Sequence, residues 1–283
     1  MPKSKVTIYT PASSLSKPRE MFREMLGDLL AGRELAWRLA LRDIKAQYRQ
    51  AILGLLWAFI LPLANTAVWL FLQASEIVTI QATALPYPVY VFTGTILWAI
   101  FMDALNAPLQ QTTAAKPMLA KINFPREALV LSGVYQTLFN AAIKLAVLLL
   151  ALLLMGVTPG AGFIFFPFVL FSLVLAGTAL GLLITPVGLL YTDIGKGLPL
   201  LMQFLMYLTP VVFPMPSEGL AKVLFELNPL TPLVLTARDL LTDFSPQYLD
   251  AFSMVTASLA VLMALVWVAY RAAMPILIER MSA

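Results

Sequence analysis

Residues 51–75, AILGLLWAFILPLANTAVWLFLQAS, run for 25 residues without Asp, Glu, Lys or Arg. A helix rises 1.5 Å per residue, so this stretch can cross a hydrocarbon core of about 30 Å. Lipid offers the backbone no hydrogen bonds, and a helix is the form in which a single segment satisfies its own. Five further runs have the same character: 85–102, 128–156, 163–191, 198–212 and 251–270, interrupted only by Lys144. Six transmembrane spans in an all-α polytopic membrane protein are therefore expected, the short fifth run borrowing residues from its flanks. The composition agrees: the chain of 283 residues is 60% hydrophobic, 12% charged and has a mean hydropathy of +0.85, against roughly 25% charged residues in soluble domains.

The cations orient the spans. Ten of the 19 Lys and Arg precede Gln50, the start of the chain has no apolar core of signal-peptide type, and the amino terminus is expected to stay in the cytoplasm. With that end inside, 16 Lys and Arg fall in cytoplasmic segments and only Lys222 and Arg238 fall outside. This is the positive-inside bias, and it predicts both termini in the cytoplasm.

Two segments depart from plain spans. In residues 33–49, Trp37, Leu41, Ile44 and Tyr48 recur at helical spacing, and Arg38, Arg42, Lys45 and Arg49 follow one residue later. An apolar stripe beside a basic stripe predicts an amphipathic helix, about 33–50, lying in the cytoplasmic headgroup layer behind a leader of residues 1–32. The same cations also serve topology. Residues 214–249 are too charged to cross and too apolar for an exposed loop, so a re-entrant helical hairpin on the outer side is expected. Its pieces are 220–227 and 233–241, the second capped by Thr231 and opened by Pro232.

The chemistry left open to the chain is narrow. It has no Cys and no His, which removes thiol nucleophiles, histidine bases and the zinc and haem sites built on them. No G-x-x-x-x-G-K-[ST] loop is present, since Gly195-Lys196-Gly197 lacks both the upstream Gly and the hydroxyl. Asp103 and Asn106 sit near the inner end of the second span, and Lys144 lies within the third. Intramembrane charge is by default a functional candidate, and snorkelling of its long stem is the alternative account of Lys144. Gly177 and Gly181 form a G-x-x-x-G pair suited to close helix packing.

Three motifs carry a family resemblance. Arg42-Asp43-Ile44-Lys45, Tyr48-Arg49-Gln50 and Gly54-Leu55-Leu56-Trp57 with Pro62 form the first. Lys121-Ile122-Asn123-Phe124-Pro125-Arg126-Glu127 forms the second. Leu208-Thr209-Pro210-Val211-Val212-Phe213-Pro214, followed by Asn228-Pro229-Leu230, forms the third. In this order, from about residue 34 to 280, the chain resembles the permeases of type-2 ABC exporters that move polysaccharides. The resemblance implies a homodimeric transmembrane subunit, residues 33–283, in a bacterial cytoplasmic (inner) membrane, exporting a lipid-linked glycan of the O-antigen, lipopolysaccharide, capsule or teichoic-acid kind.

It also implies a division of labour. The permease itself is no enzyme: it holds no metal or cofactor, and two copies of a separate ATP-binding subunit bind ATP and Mg. The coupling segment that meets this subunit maps to Phe124, Pro125, Arg126 and Glu127. The channel lining maps to the first and fifth spans, where Trp57, Trp69, Phe204, Tyr207 and Phe213 can stack on sugar rings. Arg38, Arg42, Lys45 and Arg49 stand at the headgroup level where a lipid phosphate would arrive, and guanidinium suits phosphate. Two alternatives stay open: an exporter of the same fold for a small hydrophobic molecule or drug, and a membrane-embedded glycolipid-modifying enzyme using Glu218, Glu226, Asp239 and Asp243. A secondary transporter is disfavoured because no span centre carries a carboxylate.

Overall fold

The computed structural model describes residues 18–49, 56–78, 83–119 and 125–282, and among these every regular element is helical. The central element is α3, Tyr87–Ala114. It is buried along most of its length although it carries Thr93, Thr95, Gln111 and Thr112 inside it, a polarity that protein neighbours tolerate and lipid would not. Its closest neighbour is α6, Phe166–Leu190. Gly177 and Gly181 make that approach possible: a Cβ at Gly181 would lie 2.1 Å from the Leu105 carbonyl oxygen, and one at Gly177 2.7 Å from that of Phe101. The G-x-x-x-G pair is thus a packing device.

On another side, α3 meets α5, Glu127–Leu154, where Gly133 lets Ala107 come close. Helix α1, Pro18–Arg49, lies along α5. It starts well before residue 33, inside the segment read as a leader, because Pro18 suits a first helical turn and the residues after it are good helix formers. The face that packs consists of Gly32, Ala36, Leu39, Ala40 and Ile44, with Gly32 against Ala128. The apolar stripe of the sequence is therefore divided: Ile44 is buried, while Trp37 and Leu41 stay exposed, Trp37 meeting Tyr135 edge-on with ring centroids 5.9 Å apart. The Tyr48 side chain lies outside the described residues.

One end of the bundle is tied by charge. Arg271, on α10 (Leu249–Ser282), bonds Glu127 at 2.7 Å and Asp28 at 2.8 Å, joining α10 to α5 and α1. Lys116, in the single turn α4 (Lys116–Leu119), donates to the Leu189 carbonyl at 3.1 Å, a cation at the negative end of α6.

The opposite end holds the last residues of α7 (Thr192–Tyr207) together with α8 (Gly219–Leu227) and α9 (Leu230–Leu241), the last two bent by 85° at their junction. The cap differs from the sequence expectation: α9 begins at Leu230, whose N–H bonds Asn228 Oδ1 at 3.0 Å, and the buried Thr231 hydroxyl has no partner. Asn228 also donates to the Leu208 carbonyl at 2.9 Å and to Thr209 Oγ1 at 2.8 Å, so the Asn-Pro-Leu and Leu-Thr-Pro motifs meet in space. Arg238 was counted as an outer-loop cation from the sequence, yet it is 2% exposed. It donates to the carbonyls of Pro210 (2.8 Å), Val211 (3.0 Å) and Tyr90 (3.2 Å), and sits 3.6 Å over the Tyr90 ring. The Pro210 and Val211 carbonyls are left without helical partners because Pro210 and Pro214 keep residues 208–214 out of regular helix, while that of Tyr90 belongs to α3.

Four described helices are long and apolar enough to cross a membrane by themselves: α3, α5, α6 with the 3-10 turn before it, and α10. The bent pair α8–α9 passes the same test as a unit. Helix α2, Trp57–Ala74, and α7 are shorter, with 18 and 16 residues.

Candidate functional site

Helices α2, α3, α5 and α7 surround a cavity of about 750 Å³. From α2 come Trp57, Leu61, Pro62, Asn65, Val68, Trp69 and Leu72, spaced as one helical face. From α7 come Pro199, Met202, Gln203, Met206 and Tyr207, again at i, i+3, i+4, i+7 and i+8. Trp69 stands at the aromatic centre: its ring is 6.1 Å from Tyr207 and 5.2 Å from Phe213, both edge-on. That edge-on arrangement sets the positive rim of one ring against the negative face of the other. Phe213 belongs to the irregular 208–214 segment, so the carbonyl bonds of Arg238 position it.

The structure brings Trp57, Trp69 and Tyr207 to one cavity and places Phe213 against its wall. Phe204 is not there. The lining register on α7 turns Phe204 outward with Leu200 and Leu201, and it is 62% exposed. Trp98, 7% exposed, is a lining aromatic that sequence reasoning missed, because its run of α3 is hydrophobic on every side.

The polar wall was only half legible. Lys144 does not snorkel: its amine bonds Asp103 Oδ2 at 2.6 Å and the Ala99 carbonyl at 3.3 Å, facing the cavity. An intramembrane pair of this kind spares both groups the cost of isolated charge. Both residues stood out in the sequence separately. Their pairing had a signal too, since α3 descends as α5 ascends and the two lie at matching depth.

On α1, Arg38, Arg42, Lys45 and Arg49 are exposed, Arg38 bonding Glu34 at 2.6 Å and Arg42 bonding Asp43 at 2.7 Å. At the α4–α5 turn, Pro125 and Arg126 are half-buried. Glu127 is buried and its carboxylate is engaged by Arg271. Phe124 lies outside the described residues. Among the described residues no group of His, Cys, Asp or Glu could hold a metal ion.

The family model described as ABC-2 type transporter matches residues 34–241, a span holding α2 to α9 and the whole cavity. The chain belongs to the ABC-2 type transporter family. The ABC-2 chain is 24% identical over 213 residues to the O-antigen export system permease protein RfbA of Myxococcus xanthus, covering 74% of this chain and 81% of that one. Two proteins of the same name from Klebsiella pneumoniae are 23% and 21% identical, covering 73% and 78% of this chain and 80% and 87% of theirs. As an ABC-2 permease it is a multi-pass membrane transport subunit and not an enzyme, and its family implies an ATP-binding partner that holds ATP and Mg.

Proposed function

We propose that this ABC-2 permease is the transmembrane half of an ATP-driven exporter that moves lipid-linked polysaccharide, of the O-antigen or capsule class, across the bacterial cytoplasmic membrane. The observation that carries the reading is the aromatic cavity. Trp57 and Trp69 stand twelve residues apart on α2, about 18 Å along its axis at 1.5 Å per residue, and Tyr207 on α7 and Trp98 on α3 line the same cavity. Sugar rings present apolar faces that stack on such rings weakly and in any register, which lets a polymer advance. The relatives named as O-antigen export permeases support the same cargo.

In this reading α2 and α7 complete six spans, α7 being extended by the 208–214 segment that Arg238 holds, and α8–α9 forms a re-entrant hairpin on the outer side. Both termini face the cytoplasm. The exposed apolar residues of α2 and α7, among them Leu63, Phe71, Leu201 and Phe204, meet lipid and a second copy of the chain, which closes the cavity into a channel. Helix α1 lies in the headgroup layer with Trp37 and Leu41 in lipid, and Arg38, Arg42, Lys45 and Arg49 receive the phosphate of the carrier. The segment from α4 to Arg126, with Phe124, docks one of two ATP-binding subunits, and Glu127 supports it through Arg271.

The test is a chromosomal deletion complemented with wild type or with Trp57→Ala combined with Tyr207→Ala. Deletion should abolish surface glycan and leave carrier-linked glycan inside, and the double variant should slow long chains more than short ones. Normal surface glycan with lost efflux of a small hydrophobic compound would replace this reading by the drug-exporter one.

A further inference from the structure

A second cavity, about 430 Å³, adjoins the aromatic one, and Gln47, Asp103 and Asn140 line both. The rest of its polar wall is Asp43, Asn106, Gln110, Gln136 and Thr137. Its chemistry is unlike that of its neighbour. Five amides and two carboxylates face it, and among the described residues lining it there is neither a cation nor an aromatic ring. Two of these amides are held in place by a chain across α3, α5 and α1, in which Gln136 accepts from Gln111 at 2.8 Å and donates to Gln47 at 3.4 Å.

Both carboxylates already have a cation, Asp43 pairing with Arg42 and Asp103 with Lys144, so the chamber offers a phosphate no unpaired positive charge. A neutral polyol suits it. Each sugar hydroxyl both donates and accepts; carboxylates accept and amides do both, so such a wall can satisfy adjacent hydroxyls in pairs. We propose that this chamber binds the hydroxyls of neutral sugar residues before they pass to the aromatic cavity, an inference that rests on the glycan-export reading above. Lys144 occupies Oδ2 of Asp103, so the hydroxyl contact falls to Oδ1. Helix α1 serves both parts of the cargo, presenting Arg38, Arg42, Lys45 and Arg49 outward to the carrier phosphate and Asp43 and Gln47 inward to the first sugars.

The experiment uses the full permease with its ATP-binding subunit in cells making their own surface glycan. A photo-crosslinking p-benzoylphenylalanine is placed at Gln110 or at Trp57, and adducts are read as periodate-sensitive mass ladders on the purified chain. Glycan adducts are expected at both positions, and Asn106→Leu should lower the yield at position 110 about three- to tenfold, the loss of one hydrogen bond. Wild-type yield of the assembled complex shows that this variant folds. Adducts at 57 with none at 110 overturn the chamber while leaving glycan export standing. Adducts at 110 that carry carrier lipid without sugar also overturn it. No glycan adduct at either position, together with intact surface glycan in the deletion strain, overturns the export reading itself.

Discussion

Replacing Arg238 by Met keeps the length of the side chain and removes its charge at the point where α9, α3 and the 208–214 segment meet. Three carbonyl oxygens, of Pro210, Val211 and Tyr90, lose donors at 2.8 to 3.2 Å, and the Tyr90 ring loses the guanidinium 3.6 Å above it. Hydrogen bonds from a charged group contribute about 1.5–3 kcal/mol each, and a desolvated cation–π contact about 2 kcal/mol. Against that gain stands the cost of burying the cation, which the substitution relieves. The net loss should be about 3–5 kcal/mol, as when one partner of a buried charged network is removed. Tyr90→Phe probes the same knot more gently. Its hydroxyl reaches the Pro210 and Phe213 carbonyls at 3.1 and 3.2 Å, so about 1 kcal/mol should go. Gly94→Ala attacks it sterically, since a Cβ there would lie 2.2 Å from the Val211 oxygen and 2.5 Å from Arg238 Nη2, and overpacking should cost about 1–3 kcal/mol or more. Unfolding in mixed dodecylmaltoside–SDS micelles, followed by circular dichroism, gives the free energies. Tryptophan emission, read in a background that keeps Trp69 and replaces the other four tryptophans by Phe, reports in parallel whether Phe213 still covers Trp69. An Arg238→Met protein within about 1 kcal/mol of wild type, with unchanged emission, would refute the reasoning that this cation organises the outer end.

Two further outcomes are expected. The chain has no cysteine, so single cysteines can be placed without background: one at Ser217 should react with an impermeant maleimide from outside and one at Ser4 should not, and the reverse pattern would invert the topology. Phe124→Asp should weaken copurification of the ATP-binding subunit and uncouple hydrolysis from transport, because a carboxylate resists burial in an apolar cleft; wild-type association and export would remove Phe124 from the docking surface.

The positions of the apolar runs, the asymmetry of the cations and the exclusion of thiol, imidazole and phosphate-loop chemistry were all legible in the sequence. They are sums over local stretches, and lipid imposes them on each segment separately. The small-residue pair Gly177 and Gly181 was legible for the same reason, since close approach demands it wherever the partner lies. Which residues share the cavity depended on the rotation of one helix against another. That rotation turned Phe204 outward while Tyr207, three residues on, lined the site, and it added Trp98. Likewise Lys144 and Asp103, 41 residues apart, became a pair only when α3 and α5 packed antiparallel at matching depth. Arg238 and Asn228 show the sharpest difference between chain and fold. In the chain Arg238 counts only as a loop cation and Asn228 only as the first residue of a motif, with no partner visible for either. Folded, they satisfy the carbonyls of Leu208, Pro210 and Val211 in a segment that is not regular helix, and a buried backbone group must find its donor wherever tertiary structure brings one.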